Sequence, residues 1–135
     1  MHTLNDLQGL VRDMREAGIE VELEVVGPSR PLDDAIELAA YRMVQESLTN
    51  VLKHSGATQA QVTVTYGEAG VDVEVSDPGR LGSTTSSAPD AAGGHGLVGL
   101  RERARLLGGD FRCGPSGSCG FTVVAHLPSS VGVAS

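Results

Sequence analysis

Residues 33–53 read DDAIELAAYRMVQESLTNVLK, and this stretch decides how the rest of the chain is interpreted. With about 100° of rotation per residue, the apolar side chains fall on one side of a helix and three polar side chains cluster on another. The carboxylates of Asp33 and Asp34 suit the positive end of a helix dipole, so we expect the helix to begin there and run to about Lys53. Its apolar side consists of Ile36, Ala40, Tyr41, Val44, Leu48 and Val51. The stretch is predicted to be an amphipathic helix with a core side and a separate polar side.

The polar side carries Glu46, Asn50 and Lys53 at i, i+4 and i+7. An amide oxygen suits a hard cation such as Mg²⁺, an ammonium group suits phosphate, and a carboxylate can orient a water or accept a proton. The same spacing also describes an ordinary solvated helix face with a charge pair. Spacing alone leaves both interpretations open.

The flanking sequence alternates between helical and strand periodicity. Apolar residues at three- and four-residue spacing predict a helix over 4–17 that stops at Gly18, and a second glycine stop at Gly108 and Gly109 predicts another helix over about 97–107. Alternating apolar residues predict strands over 20–26, 62–66, 71–75, 111–113 and 121–127. Strands that come mostly as hairpins, with helices grouped between them, indicate an α+β fold: a two-layer sandwich with a mixed, mostly antiparallel sheet and helices on one face.

Length and composition limit the classes of protein. The 135 residues are expected to form one domain, and the net charge of −7 opposes sequence-independent binding to nucleic acid. No apolar run is long enough for a membrane span and residues 1–10 do not resemble a signal peptide, so we expect a cytoplasmic location without direct membrane contact. Cys113 and Cys119 are interpreted as reduced structural thiols, although they could meet across a hairpin.

Two further motifs are ambiguous by themselves. Asp77-Pro78-Gly79 ends a predicted strand, and it is either a turn or a carboxylate aimed into a cleft to accept a hydrogen bond from an exocyclic amine. Residues 93–97, GGHGL, lead into a predicted helix, and they form either a hinge or a phosphate-binding helix start. The chain lacks both the P-loop and the G-x-G-x-x-G signature after a first strand.

Together these motifs resemble one family. Residues 41–55, YRMVQESLTNVLKHS, resemble the N box of sensor histidine kinases that pair with LuxR- or NarL-type response regulators, a branch of the GHKL (Bergerat-fold) ATPases. Residues 75–79 and 94–103 resemble its two glycine boxes, and residues 120–128 are similar to the closing strand. The resemblance covers residues 18–128 in order, and it implies an ATP-binding catalytic domain of a histidine kinase.

The resemblance also implies a role for each matching residue. Asp77 would bind the adenine amino group with support from Thr122, and Asn50 would ligate the Mg²⁺ that bridges the phosphates of ATP, with Glu46 assisting phosphoryl transfer. The remaining residues of the implied site, which would line the nucleotide and its phosphates, are Lys53, His54, Gly79, Gly94, His95, Gly96 and Leu97. Residues 80–95 would be the ATP lid.

The implied partners are ATP or ADP, a separate dimerisation domain that carries the phosphoacceptor histidine, and indirectly a response regulator. None of the four histidines lies in a family-like acceptor segment, so we expect residues 1–17 to continue from a missing dimerisation domain and the isolated domain to have little activity alone. We also expect residues 129–135 to be a disordered tail and the isolated domain to be a monomer. Leu81 stands where the first glycine box commonly has a second glycine, and Pro78 stiffens the turn. Alternative functions are an anti-sigma-factor-like serine kinase and a non-catalytic nucleotide-sensing or docking module.

Overall fold

A computed structural model describes residues 6–28, 32–55, 58–78, 99–116 and 120–128. The helices are α1 (Leu7–Glu16), α2 (Asp34–Asn50) and α3, of which residues 99–106 are described, and α2 continues into a single π-helical turn, Val51–Ser55. The strands are β1 (Glu20–Val26), β2 (Gln59–Gly67), β3 (Gly70–Asp77), β4 (Asp110–Ser116) and β5 (Gly120–Pro128). All helices and strands predicted from the sequence are present in the described part of the chain.

The five strands form one sheet in the order β1-β2-β3-β5-β4. β1 pairs in parallel with β2, and the other three pairings are antiparallel. The two predicted hairpins, β2–β3 and β4–β5, are therefore confirmed, as is the mixed, mostly antiparallel sheet.

Side chains alternate between a buried and a polar face of this sheet. On β3 the odd-numbered residues from Val71 to Asp77 are buried, whereas Asp72 and Glu74 are exposed. The helices cover the buried face, with α1 against β1 and α2 against β3 and β5. Hydrophobic side chains from both layers form the core, which confirms the predicted α+β two-layer sandwich.

Glycine ends two of the helices as the sequence predicts. Gly18 and Gly108 adopt φ values of 111° and 82°, which disfavour residues with a Cβ. In each case the next amide closes the helix, from Ile19 to the Met14 carbonyl at 2.9 Å and from Gly109 to the Ala104 carbonyl at 2.8 Å. Among the described residues, no helix is long and apolar enough to cross a membrane.

Tyr41 links the two helices that pack side by side. Its side chain is buried on α2, and this burial raises the pKa of the hydroxyl, with the carboxylates of Asp6 and Asp13 raising it further.

Truncation of Leu48 is expected to destabilise the fold strongly. This side chain on α2 has no exposed surface, and Leu48→Ala should lower the free energy of unfolding by about 2–5 kcal/mol through lost burial and a residual cavity. Leu106→Ala is the matched control, because Leu106 is 86% exposed on α3 and its truncation should change stability by less than about 0.5 kcal/mol. Urea denaturation measures both, and equal losses would contradict this description of the core.

Candidate functional site

Asp77 is a buried carboxylate at the end of a central strand. It is the last residue of β3, only 6% exposed, and lies on the helix-facing side in line with Val71, Val73 and Val75. Its cross-strand neighbour on β5 is Phe121. Aspartate is mostly exposed in proteins, so its burial distinguishes Asp77 from the carboxylate of an ordinary surface turn.

Asn50 is the last residue of α2, and it is half-buried. Its Nδ2 atom is fully buried, and no hydrogen-bond partner for it exists within the described ranges. The same holds for the Oγ atom of Ser47, one turn earlier on the helix. Buried polar atoms are nearly always hydrogen-bonded in folded proteins, so two such atoms within four residues mark a place where the chain offers donors to something else.

α2, which ends at Asn50, packs against β3 and β5, the strands that carry Asp77 and its cross-strand neighbour Phe121. Near its start, Ala39 and Met43 line a small cavity together with Phe111, Ala125 and Leu127, which lie at the opposite end of the sheet from Asp77. Ser47, Leu48 and Val51 all stay buried, so the last turns of α2 remain packed on the sheet.

Glu46 lies one turn before Asn50 on α2, whereas Lys53 lies beyond the end of this helix. Glu46 is half-buried, but Lys53 is exposed and belongs to the π-helical turn. In such a turn the hydrogen bonds run from i to i+5, so each residue rotates less about the axis than in an α-helix, and the contact of Lys53 with phosphate remains a prediction. The structure also places Asn50 at the margin of the core side, in line with Met43, and not on a fully separate polar side.

The prediction that Thr122 supports Asp77 conflicts with the strand register. Thr122 pairs with Ser76, and both lie on the face of the sheet turned away from the helices, whereas Phe121 is directly opposite Asp77. Adjacent side chains of a strand point to opposite faces, so an assignment that is one residue off exchanges the two faces. Phe121, and not Thr122, is the β5 side chain on the face that carries Asp77.

Several predicted site residues lie outside the described residues. They are Gly79, Gly94, His95, Gly96 and Leu97, together with the predicted lid over 80–95 and the side chain of His54. Cys119 is also outside, whereas Cys113 is a free, partly buried thiol. The roles assigned to the predicted site residues outside the described ranges remain predictions.

Ser47 is a further residue of this region, and none of the predicted site residues includes it. The signal for it was available: Ser47 follows Ala39 and Met43 at four-residue spacing, so it is a hydroxyl on the apolar side of the helix. Serine is mostly exposed in proteins, and a serine on a buried stripe is therefore informative.

Comparison of the sequence with known protein families identifies the family of this chain. Residues 35–131 match the family of histidine kinase-, DNA gyrase B-, and HSP90-like ATPases. The chain belongs to this ATPase family. The match begins in α2 and ends just after β5, so it contains both Asn50 and Asp77.

Relatives within this ATPase family are sensor kinases. Sensor histidine kinase YxjM of Bacillus subtilis is 30% identical over 93% of this chain, and the oxygen sensor histidine kinase NreB of Staphylococcus carnosus is 32% identical over 82%. The chain spans 30% and 31% of the lengths of these two relatives.

A solved structure shows the same fold. The ATP-binding domain of PrrB from Mycobacterium tuberculosis superposes with a TM-score of 0.62 at 22% identity, covering 93% of this chain and 92% of that one. This likeness supports the sandwich fold of the ATPase family independently of the sequence motifs.

Proposed function

We propose that this chain binds Mg-ATP between α2 and the end of β3 and transfers the γ-phosphate to a histidine on a separate dimerisation domain. Three observations support the proposal: Asp77 is buried on the helix-facing side of β3, the helix that ends at Asn50 packs against β3 and β5, and the Asn50 amide nitrogen is buried without a partner in the described chain. The names of the relatives, which are sensor histidine kinases, support the reaction class.

Asp77 supplies recognition of the base in this proposal. A carboxylate only accepts hydrogen bonds, and the adenine 6-amino group is a donor, so the two are complementary. Burial makes the interaction selective, because a base without an amino group at this position would leave the carboxylate facing an acceptor. Phe121 lies on the same face of the sheet and offers an aromatic surface beside the base.

The residues on α2 fit a magnesium ion that is held mostly by phosphates. Mg²⁺ prefers oxygen ligands and usually keeps several waters or phosphate oxygens beside one or two protein ligands. Asn50 offers an amide oxygen, and Glu46 lies one turn earlier with a carboxylate that can act through water or the metal. When bound, the ion neutralises charge that accumulates on the phosphates during transfer. No group of three or more His, Cys, Asp or Glu side chains suited to a metal occurs among the described residues, and this mode of binding does not require one.

The transfer step needs little chemistry from the protein. A ring nitrogen of the acceptor histidine forms a bond to the γ-phosphorus, the bond from that phosphorus to the β,γ-bridging oxygen breaks, and ADP leaves with the electron pair. Lys53 and His54 are proposed to contact phosphate, and Gly79, Gly94, His95, Gly96 and Leu97 to surround the nucleotide. Positioning and charge neutralisation then account for most of the rate enhancement.

The proposal also fixes partners and location. We propose that the domain meets a histidine-bearing dimerisation domain and that a response regulator receives the phosphoryl group afterwards, as the names of the relatives suggest. Since ATP is supplied inside the cell, we place the domain in the cytoplasm, and we expect the isolated chain to be a monomer.

Calorimetric titration and a transfer assay test the proposal. The chain should bind Mg-ADP, and with labelled ATP it should phosphorylate a supplied dimerisation domain of the same kinase while showing little ATP hydrolysis alone, because without an acceptor only water can attack. The absence of heat at millimolar Mg-ADP would contradict nucleotide binding. Binding without phosphorylation of the acceptor histidine would contradict the kinase assignment and favour a docking module.

A further inference from the structure

The hydroxyl of Ser47 has no structural use in the described chain. Ser47 is 3% exposed, and within residues 6–28, 32–55, 58–78, 99–116 and 120–128 its Oγ atom has no hydrogen-bond partner. A serine in a helix can satisfy itself on the carbonyl four residues earlier, as Thr49 does by donating to the Gln45 carbonyl at 2.8 Å. Ser47 does not, so its hydroxyl is directed away from its own backbone.

The position of Ser47 relates this hydroxyl to Asp77. Ser47 lies one helical turn after Met43 on the buried side of α2, and α2 packs against β3, the strand that ends at Asp77. Asn50, the proposed magnesium ligand, is the last residue of the same helix. Ser47 therefore presents a buried hydroxyl from the helix that packs on the strand of Asp77.

We propose that Ser47 is a second base-recognition residue, whose hydroxyl donates a hydrogen bond, directly or through one bound water, to ring nitrogen N1 of the adenine that Asp77 holds. This inference rests on the proposed function. Its chemical reason is that N1 is an acceptor next to the 6-amino group, and a carboxylate cannot donate to it. The hydroxyl of Ser47 supplies the missing donor from the buried side of the cleft.

The test combines one substitution with one change in the ligand. In the unsubstituted chain, 1-deaza-ADP, which lacks N1, should bind about 3- to 10-fold more weakly than ADP, since a neutral hydrogen bond contributes about that much. Ser47→Ala should weaken ADP binding by a similar factor and bind the two nucleotides with equal affinity. Thr49→Ala removes a hydroxyl that is already satisfied within the helix and should keep the full discrimination between them.

The stability of Ser47→Ala separates the proposal from a purely structural role, which predicts a lower unfolding temperature. Under the proposal, Ser47→Ala without nucleotide should unfold at the same or a higher temperature, because it removes an unpaired buried hydroxyl. Unchanged ADP affinity in Ser47→Ala, or discrimination that persists in it, would overturn the proposal. Failure of the unsubstituted chain to bind Mg-ADP would instead contradict the proposed function itself, so the two failures are distinguishable.

Discussion

Asp77→Ala is expected to weaken binding of Mg-ADP by about 10- to 150-fold, which is the range for a lost hydrogen bond to a charged group. The carboxylate is buried at the end of β3, so water cannot replace it easily as an acceptor for the adenine amino group. Isothermal titration of the chain with Mg-ADP measures the loss. The substituted chain should still bind a phosphate-directed ligand such as Mg-pyrophosphate with nearly unchanged affinity, because Asp77 is proposed to contact the base alone.

Asp72→Ala is the matched control for this experiment. Asp72 is on the same strand but on the polar face, where it is exposed and its Oδ1 lies 2.6 Å from His126 Nδ1. Asp72→Ala should leave nucleotide affinity within about twofold, because Asp72 lies on the face of the sheet opposite to Asp77. It should also change stability little, since an exposed ion pair contributes little to the free energy of unfolding. Equal effects of the two substitutions, or unchanged affinity in Asp77→Ala at an unchanged unfolding temperature, would remove Asp77 from base recognition.

The layers of the fold could be read from the sequence because periodicity and glycine stops determine them. Strand alternation in β3 and the apolar side of α2 each follow from one local pattern, and the structure confirms them. In β1 the alternation holds for Val21 and Leu23 only, because Val25 is 54% exposed. The order of strands across the sheet could not be predicted in this way, because it depends on contacts between segments far apart in the chain. The parallel pairing of β1 with β2 has no local signal.

The site was predicted less well where one residue of register matters. Thr122 was assigned to the face of Asp77, but the pairing Asp77 with Phe121 turns it to the other face. Similarly, the π-helical turn after Asn50 contains neither proline nor glycine, so no breaker in the sequence predicts that Lys53 departs from the α-helical direction. A helical wheel contains no information about a π-helical turn, and a strand pattern contains none about the register of pairing.

Asn50→Ala is expected to reduce phosphoryl transfer to a supplied dimerisation domain at least about 100-fold. Removing one group that stabilises developing charge in a preorganised site typically costs 100- to 1,000-fold in rate, and here the lost amide oxygen is the proposed protein ligand of Mg²⁺. The affinity for ADP should become insensitive to Mg²⁺, whereas ADP binding without metal should change little. Titrations with and without Mg²⁺, beside the transfer assay, measure both effects.

The stability of this variant separates a functional role from a structural one. The Asn50 Nδ2 atom is buried without a partner in the described chain, so alanine at this position should leave the unfolding temperature of the free chain unchanged or raised. Gln45→Ala, an amide lost from another side of the same helix, should retain transfer and its magnesium dependence. If Asn50→Ala unfolds at a lower temperature and transfers phosphate at the normal rate when folded, the amide is a packing group and the metal must be held by other residues.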